Sequence, residues 1–381
     1  MDDAPARARW QLPAAGLADL HTALTAAGYQ VIGPQAAGAA IILGPLASAA
    51  DLPFGVGVDV RPGGYRLRQR SDQAAFAHSA GPGSWKHFLH PPREKLWGAT
   101  REPGGQDFVP DPPDPPGQKL AFLGVRSCDL HAIGIQDRVL GGSAHPGSAY
   151  AQRRASVMII AVNCTEPGQA CFCNSMGTGP CADDGYDLLL TEFADPGNHR
   201  FLVETGSAAG QDLLRQLTVS PADAALTERA RTEMESAVSH MGRSMDSSGL
   251  RDLLAGSLEA ARWDDVAARC LTCGNCTMAC PTCFCTEISD TTDLSGEHAG
   301  RWQTWASCFD LDFSGLHGGP VRSSGRSRYR QWLTHKLGTW HDQFGESGCV
   351  GCGRCIVWCP AGIDLTEEVA ALRAEHDEAG Q

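Results

Sequence analysis

The sequence predicts a chain of α+β / α/β class. An N-terminal mixed α/β domain spans residues 1–200, a helical connector 201–268, and a cysteine-rich domain 269–365 with a short helical tail, 366–381. Three observations carry this. Two apolar runs, 119–125 (KLAFLGV) and 157–162 (VMIIAV), flank a stretch of helical spacing at 130–140, as in a parallel βαβ unit. Residues 207–268 carry Leu, Ala, Glu and Arg at helical spacing. From residue 270 the chain is dominated by two tight cysteine runs.

Residues 16–28 (GLADLHTALTAAG) have helical spacing and stop at glycine. Residues 39–46 suit a strand. Gly55-x-Gly57 lacks a third glycine and a strand–turn–helix setting, so it reads as turn chemistry. The Pro/Asp-rich segment 104–118 reads as an extended linker or surface loop. After each apolar run comes a cysteine, Cys128 and Cys164. A parallel pair puts both at the carboxyl edge of one sheet, where ligands collect in open α/β folds.

Composition narrows the function. The 31 basic residues against 44 acidic give a net charge of −13, which argues against a nucleic-acid binder. Asp2, Asp3, Arg7, Arg9 and Asp19 interrupt the first twenty residues, so no signal peptide is expected. No apolar window reaches about 18 residues, so no membrane span is expected. The expected location is cytoplasmic, where thiols stay reduced. There, 16 cysteines point to metal ligands rather than disulfides.

The runs are Cys270-x2-Cys273-x2-Cys276-x3-Cys280-Pro281 and Cys349-x2-Cys352-x2-Cys355-x3-Cys359-Pro360. Each matches the bacterial ferredoxin pattern for [4Fe-4S] ligation, in which the fourth cysteine serves the other cluster. Short gaps let three thiolates wrap one face of a cubane, and proline redirects the chain at the fourth. The rule assigns Cys270, Cys273, Cys276 and Cys359 to a first cluster, and Cys280, Cys349, Cys352 and Cys355 to a second. Zinc pairs are usually set further apart. Gly274, Gly351 and Gly353 permit close backbone approach, and Ile356, Val357 and Ile363 are expected to shield the site. The domain is therefore ferredoxin-like, with a large insertion at 286–345.

Other cysteines are less regular. Cys128, Cys164, Cys171 and Cys173 make a third candidate [4Fe-4S] site, with zinc or non-ligand cysteines as alternatives; Cys181 lies outside the four. Cys283, Cys285 and Cys308 supply only three ligands and read as packing beside the clusters. Arg322, Arg326, Arg328, Arg330 and Lys336 form a basic stretch, either a solvated face or compensation for anionic clusters and docking of an acidic partner. His131, His317, His335 and His341 lie near cysteine segments without forming a set. No P-loop, c-haem or nucleophile-elbow motif occurs, so no catalytic site of the chain's own is expected.

Residues 84–92 (SWKHFLHPP), 124–130 (GVRSCDL), 164–180, 269–285 (RCLTCGNCTMACPTCFC), Trp305–Cys308 (WASC), 328–330 and 344–360 resemble the beta subunits of cytoplasmic sulfhydrogenases, the NAD(P)-linked [NiFe]-hydrogenases. That family includes the corresponding iron–sulfur subunit of anaerobic sulfite reductase. The resemblance covers roughly residues 80–363. Ser127 stands where proline is common in such motifs, which removes no ligand. The resemblance implies an iron–sulfur electron-transfer subunit linking a flavin- and NAD(P)H-binding subunit with a catalytic hydrogenase subunit. The alternative is a sirohaem sulfite reductase as the catalytic partner. No nucleic-acid or membrane partner is implied.

Overall fold

The two apolar runs lie side by side as parallel strands at the centre of an eight-stranded mixed sheet. Its strands are β1 (Arg9–Pro13), β2 (Gln30–Ala37), β3 (Ala40–Pro45), β4 (Leu120–Val125), β5 (Met158–Val162), β6 (Leu188–Asp195), β7 (Asn198–Thr205) and β8 (Ser220–Pro221). The spatial order is β8-β1-β7-β6-β5-β4-β2-β3. β2, β4, β5 and β6 pair in parallel, and the strands outside them pair antiparallel. This is a computed structural model, and it describes residues 8–105, 107–112, 117–142 and 148–379.

The central strands are apolar because both sheet faces are covered. Alternate residues divide between the faces. Leu123, Ile160 and Val162 pack with Leu17, Leu20 and Leu24 of the helix Gly16–Ala26. Phe122, Ile159 and Ala161 pack on the other face with Trp85, Ile133 and Tyr150. Phe122 is fully buried. Truncating it to alanine is expected to cost about 3–5 kcal/mol, read as a lowered thermal midpoint of the purified chain.

Several expectations shift in detail. The helix after β4 starts at Ser127 rather than 130 and runs as Ser127–Gln136, with a wider turn at Asp137–Gly141. β7 runs through residue 200, so the sheet continues past that point. Within 104–118, Phe108–Pro110 pairs as an edge strand with Arg93–Arg101, whose alternation sequence reasoning passed over. Residues 106 and 113–116 of that segment lie outside the described residues, as do residues 1–7 of the N-terminal stretch. Gly55 does turn the chain, at φ 70°, while Gly57 lies inside the strand Val56–Arg61.

Four helices follow β7, the first of them before the short edge strand β8: Ala208–Leu214, Ala224–Ser239, Leu250–Gly256 and Arg262–Arg269. The Asp223 carboxylate accepts from the Leu226 N–H at 2.7 Å and caps the second of them. The last two do not stand apart from the cysteine runs. Leu253, Leu254, Trp263 and Val266 share one core with Tyr329, Trp332 and Ile356, and with Leu365, Val369 and Leu372 of the C-terminal helix Leu365–Ala379. The insertion sends out a hairpin, Thr286–Thr292 and His298–Trp305, that pairs with Arg93–Arg101. It then returns as the helix Gly325–Thr334. Among the described residues no helix is long and apolar enough to cross a membrane.

Candidate metal centre

The two cysteine runs fold alike. In each, a left-handed glycine starts a short helical turn: Gly274 (φ 74°) before Asn275–Met278, and Gly353 (φ 72°) before Arg354–Val357. Two residues past the first cysteine, the backbone N–H donates to that cysteine's sulfur: Thr272 to Cys270 Sγ at 3.4 Å and Gly351 to Cys349 Sγ at 3.4 Å. Ile363 N–H donates to Cys359 Sγ at 3.3 Å. Such N–H donors stabilise negative sulfur.

Cys270, Cys273 and Cys276 line one partly open apolar cavity together with Cys359 from the other run; Cys355 borders it too. Phe309, Tyr329, Trp332 and Ile363 complete the wall. Ile356, Val357 and Ile363 are buried. Cys280 meets the second run. Burial, and then the neighbouring Cys349, Cys352 and Cys280 sulfurs, push the Cys355 thiol well above its ordinary range.

The third set gathers where β4 and β5 end. Burial, then Cys164 and Cys352 nearby, push Cys171 up to about 12. Burial also raises Cys173, with Cys171 and Cys164 adding to it, and Cys128, beside Asp129 and Cys173. Cys164 is raised by burial and drawn back by the Arg126 guanidinium. This set leans on the second run: Phe172 N–H donates to Gly351 O at 2.8 Å, Thr178 Oγ1 to Val350 O at 2.8 Å, and Cys171 Sγ lies 3.8 Å from Cys352 O. Cys181 is exposed and lines a different cavity, with Asn163 and Glu204. Cys285 and Cys308 line a cavity of about 570 Å³ with Phe284, Arg322 and His335.

The cations around the sulfurs test whether these residues fit an anionic cluster. Lys336 is buried, and among the described residues no carboxylate pairs with it. Its Nζ lies 3.3 Å from Cys280 Sγ, 3.0 Å from Thr282 Oγ1, 3.4 Å from Gly348 O and 3.8 Å from Cys283 Sγ. A buried ammonium needs an opposite charge, and thiolate sulfur is what lies in reach. Burial works against the Lys336 charge, but Cys280, Cys283 and Cys349 outweigh it. The Cys280 thiol is held well below its ordinary range by Cys283 and Lys336, against the cost of burial. Arg354 sits beside Cys352 and pairs with buried Asp129 at 2.9 Å. Lys86 Nζ donates to Cys283 O at 2.9 Å and lies 3.7 Å from the Trp305 ring centroid. Among the described residues no three His, Cys, Asp or Glu converge tightly enough for a single metal ion. The cysteine sets bring buried thiols beside buried cations, the chemistry an anionic cluster needs, and iron bound there would displace the protons that burial keeps on the raised thiols.

The basic stretch divides. Arg326 and Arg330 pair with Glu259, and Arg326 also with Asp264. Arg328 donates to Phe309 O at 2.8 Å. Of the five, Lys336 reaches the ligand sulfurs. Sequence reasoning missed Lys86, Arg126 and Arg354 as site residues. Arg126 and Arg354 each stand two positions from a ligand candidate, a signal that was available; Lys86 is brought in by the fold alone.

Residues 269–363 match the model of a 4Fe-4S dicluster domain. Over 266 residues the chain is 34% identical to sulfhydrogenase 2 subunit beta of Pyrococcus furiosus, covering 67% of this chain and 74% of that protein. The chain belongs to the sulfhydrogenase subunit beta family. The matched span is far longer than the dicluster domain, so the likeness extends beyond that domain. No solved structure matches.

Proposed function

We propose that this chain is the iron–sulfur electron-transfer subunit of a hydrogenase-type complex, and that it holds three [4Fe-4S] clusters. The observation that carries the reading is the contact of the third cysteine loop with the second run, beside the cavity that joins Cys359 to the first run. Cys270, Cys273, Cys276 and Cys359 would hold the first cluster. Cys280, Cys349, Cys352 and Cys355 would hold the second, and Cys128, Cys164, Cys171 and Cys173 the third. Bound there, the clusters would supply one-electron transfer without proton chemistry. The chain's own residues hold the thiolates, donate N–H groups to sulfur, and exclude water with Phe309, Tyr329 and Trp332.

In this reading the second set lies between the other two, since the third loop touches the second run and Cys355 of the second run borders the first cavity. The far end reaches the surface, because Cys273 is exposed and neighbouring Leu271 is 65% exposed. A partner that exchanges electrons with the first cluster would dock there. The partners are a flavin subunit handling NAD(P)H and a catalytic [NiFe] subunit. Anaerobic purification of the tagged chain from its native cell is expected to bring down both. A chain that purifies alone with its own stoichiometric flavin would overturn the assignment. Cys128→Ser is expected to remove the third cluster's share of iron, about four atoms per chain, and leave the rest.

A further inference from the structure

The two halves of the dicluster domain have similar backbones but different electrostatics. The residues lining the first cavity are Cys, Gly, Pro, Ala, Asn and larger apolar or aromatic side chains, and none is charged. The second set has Lys336. Its Nζ is 3.3 Å from Cys280 Sγ, and its remaining contacts are Thr282 Oγ1, the Gly348 carbonyl and Cys283 Sγ. Thr282 Oγ1 in turn lies 3.1 Å from Cys280 Sγ and donates to Gly348 O at 2.8 Å. Arg354, a second cation at this set, is neutralised by Asp129, and Lys86, a third, donates to the Cys283 carbonyl rather than to a sulfur. Lys336 has no such carboxylate among the described residues, so its whole charge acts on the sulfurs.

We propose that Lys336 is a potential-setting residue: its ammonium stabilises the reduced, more negative state of the second cluster, so that this cluster accepts an electron before the first. The proposal rests on the reading above that both clusters are present. Reduction adds one negative charge, supplied by one electron from the reductant, and breaks no bond. A positive charge 3.3 Å from a ligand sulfur in a dry interior favours that added charge strongly. Water at exposed Cys273 favours reduction of the first cluster too. High-dielectric solvent at one corner is the weaker effect, because it acts from outside an apolar wall rather than at a ligand atom. The result is an electron resting place in the middle of the chain of sites, with an uphill step to the surface.

The test is a dithionite titration of the full anaerobic chain followed by EPR. The Cys276→Ala protein identifies the first cluster's signal by its loss, and Cys355→Ala does the same for the second. In the native chain the second cluster's signal appears first. Lys336→Met, at native iron content, is expected to shift that cluster's one-electron equilibrium at least tenfold toward the oxidised form, about 59 mV per tenfold. The first cluster should move far less. Lys336→Arg keeps the charge and should restore most of the shift. If Lys336→Met fails to fold, Lys336→Gln removes the charge while keeping a donor for Gly348 O. A neutral variant with full iron and an unmoved second-cluster equilibrium would overturn the proposal. A native chain without iron would overturn the functional reading as well, so the two failures are distinguishable.

Discussion

Cys276→Ala is expected to empty the first cluster and stop electron flow to the surface while the rest of the chain folds. Cys276 is half-buried and borders the cavity shared by Cys270, Cys273 and Cys359. Alanine removes one of four ligands; of the remaining three, Cys270 and Cys273 sit on a loop whose geometry the cluster itself fixes, and Cys359 comes from the other run. Iron should fall by about four atoms per chain. NAD(P)H-linked turnover of the complex should fall to background, while a dye that reacts directly at the catalytic subunit should still work. Unchanged NAD(P)H-linked turnover would count against the first cluster as part of the route.

The second large effect concerns a glycine. Gly351→Ala is expected to dislodge the third cysteine loop, whereas the matching change in the first run is expected to be mild. Gly351 has φ 61°, and a Cβ there would lie 2.6 Å from the backbone N and Cα of Cys173. The left-handed strain alone costs about 1–3 kcal/mol, and overlap with backbone cannot be relieved by turning a side chain. The third cluster's iron should be lost and the thermal midpoint should fall. Thr272 holds the equivalent place in the first run at φ 50°. It tolerates a side chain because that loop faces outward, next to exposed Cys273. Thr272→Gly should therefore keep full iron. A Gly351→Ala chain that keeps full iron would show that the third loop does not depend on Gly351.

This pair of positions shows how far the sequence could be read. Cysteine spacing is local, because a cubane demands thiolates at short, fixed intervals, so the two runs by themselves announce the dicluster domain. The parallel strands were legible because strands covered on both faces must be apolar throughout. What stayed hidden was long-range. Nothing near Lys336 in the sequence says that it turns inward to Cys280 while Arg326 and Arg330 turn outward to Glu259. The strand Arg93–Arg101 was missed because its alternation is weak and its partner lies in the insertion, some two hundred residues away. The difference between Thr272 and Gly351 has meaning only once Cys173 is seen above the second loop.

The most direct measurement is iron and acid-labile sulfide in the full chain purified without oxygen. Three sites predict about twelve of each per chain, with EPR signals from interacting clusters after reduction. A colourless, folded chain with four iron or fewer and no labile sulfide would contradict the account at its root.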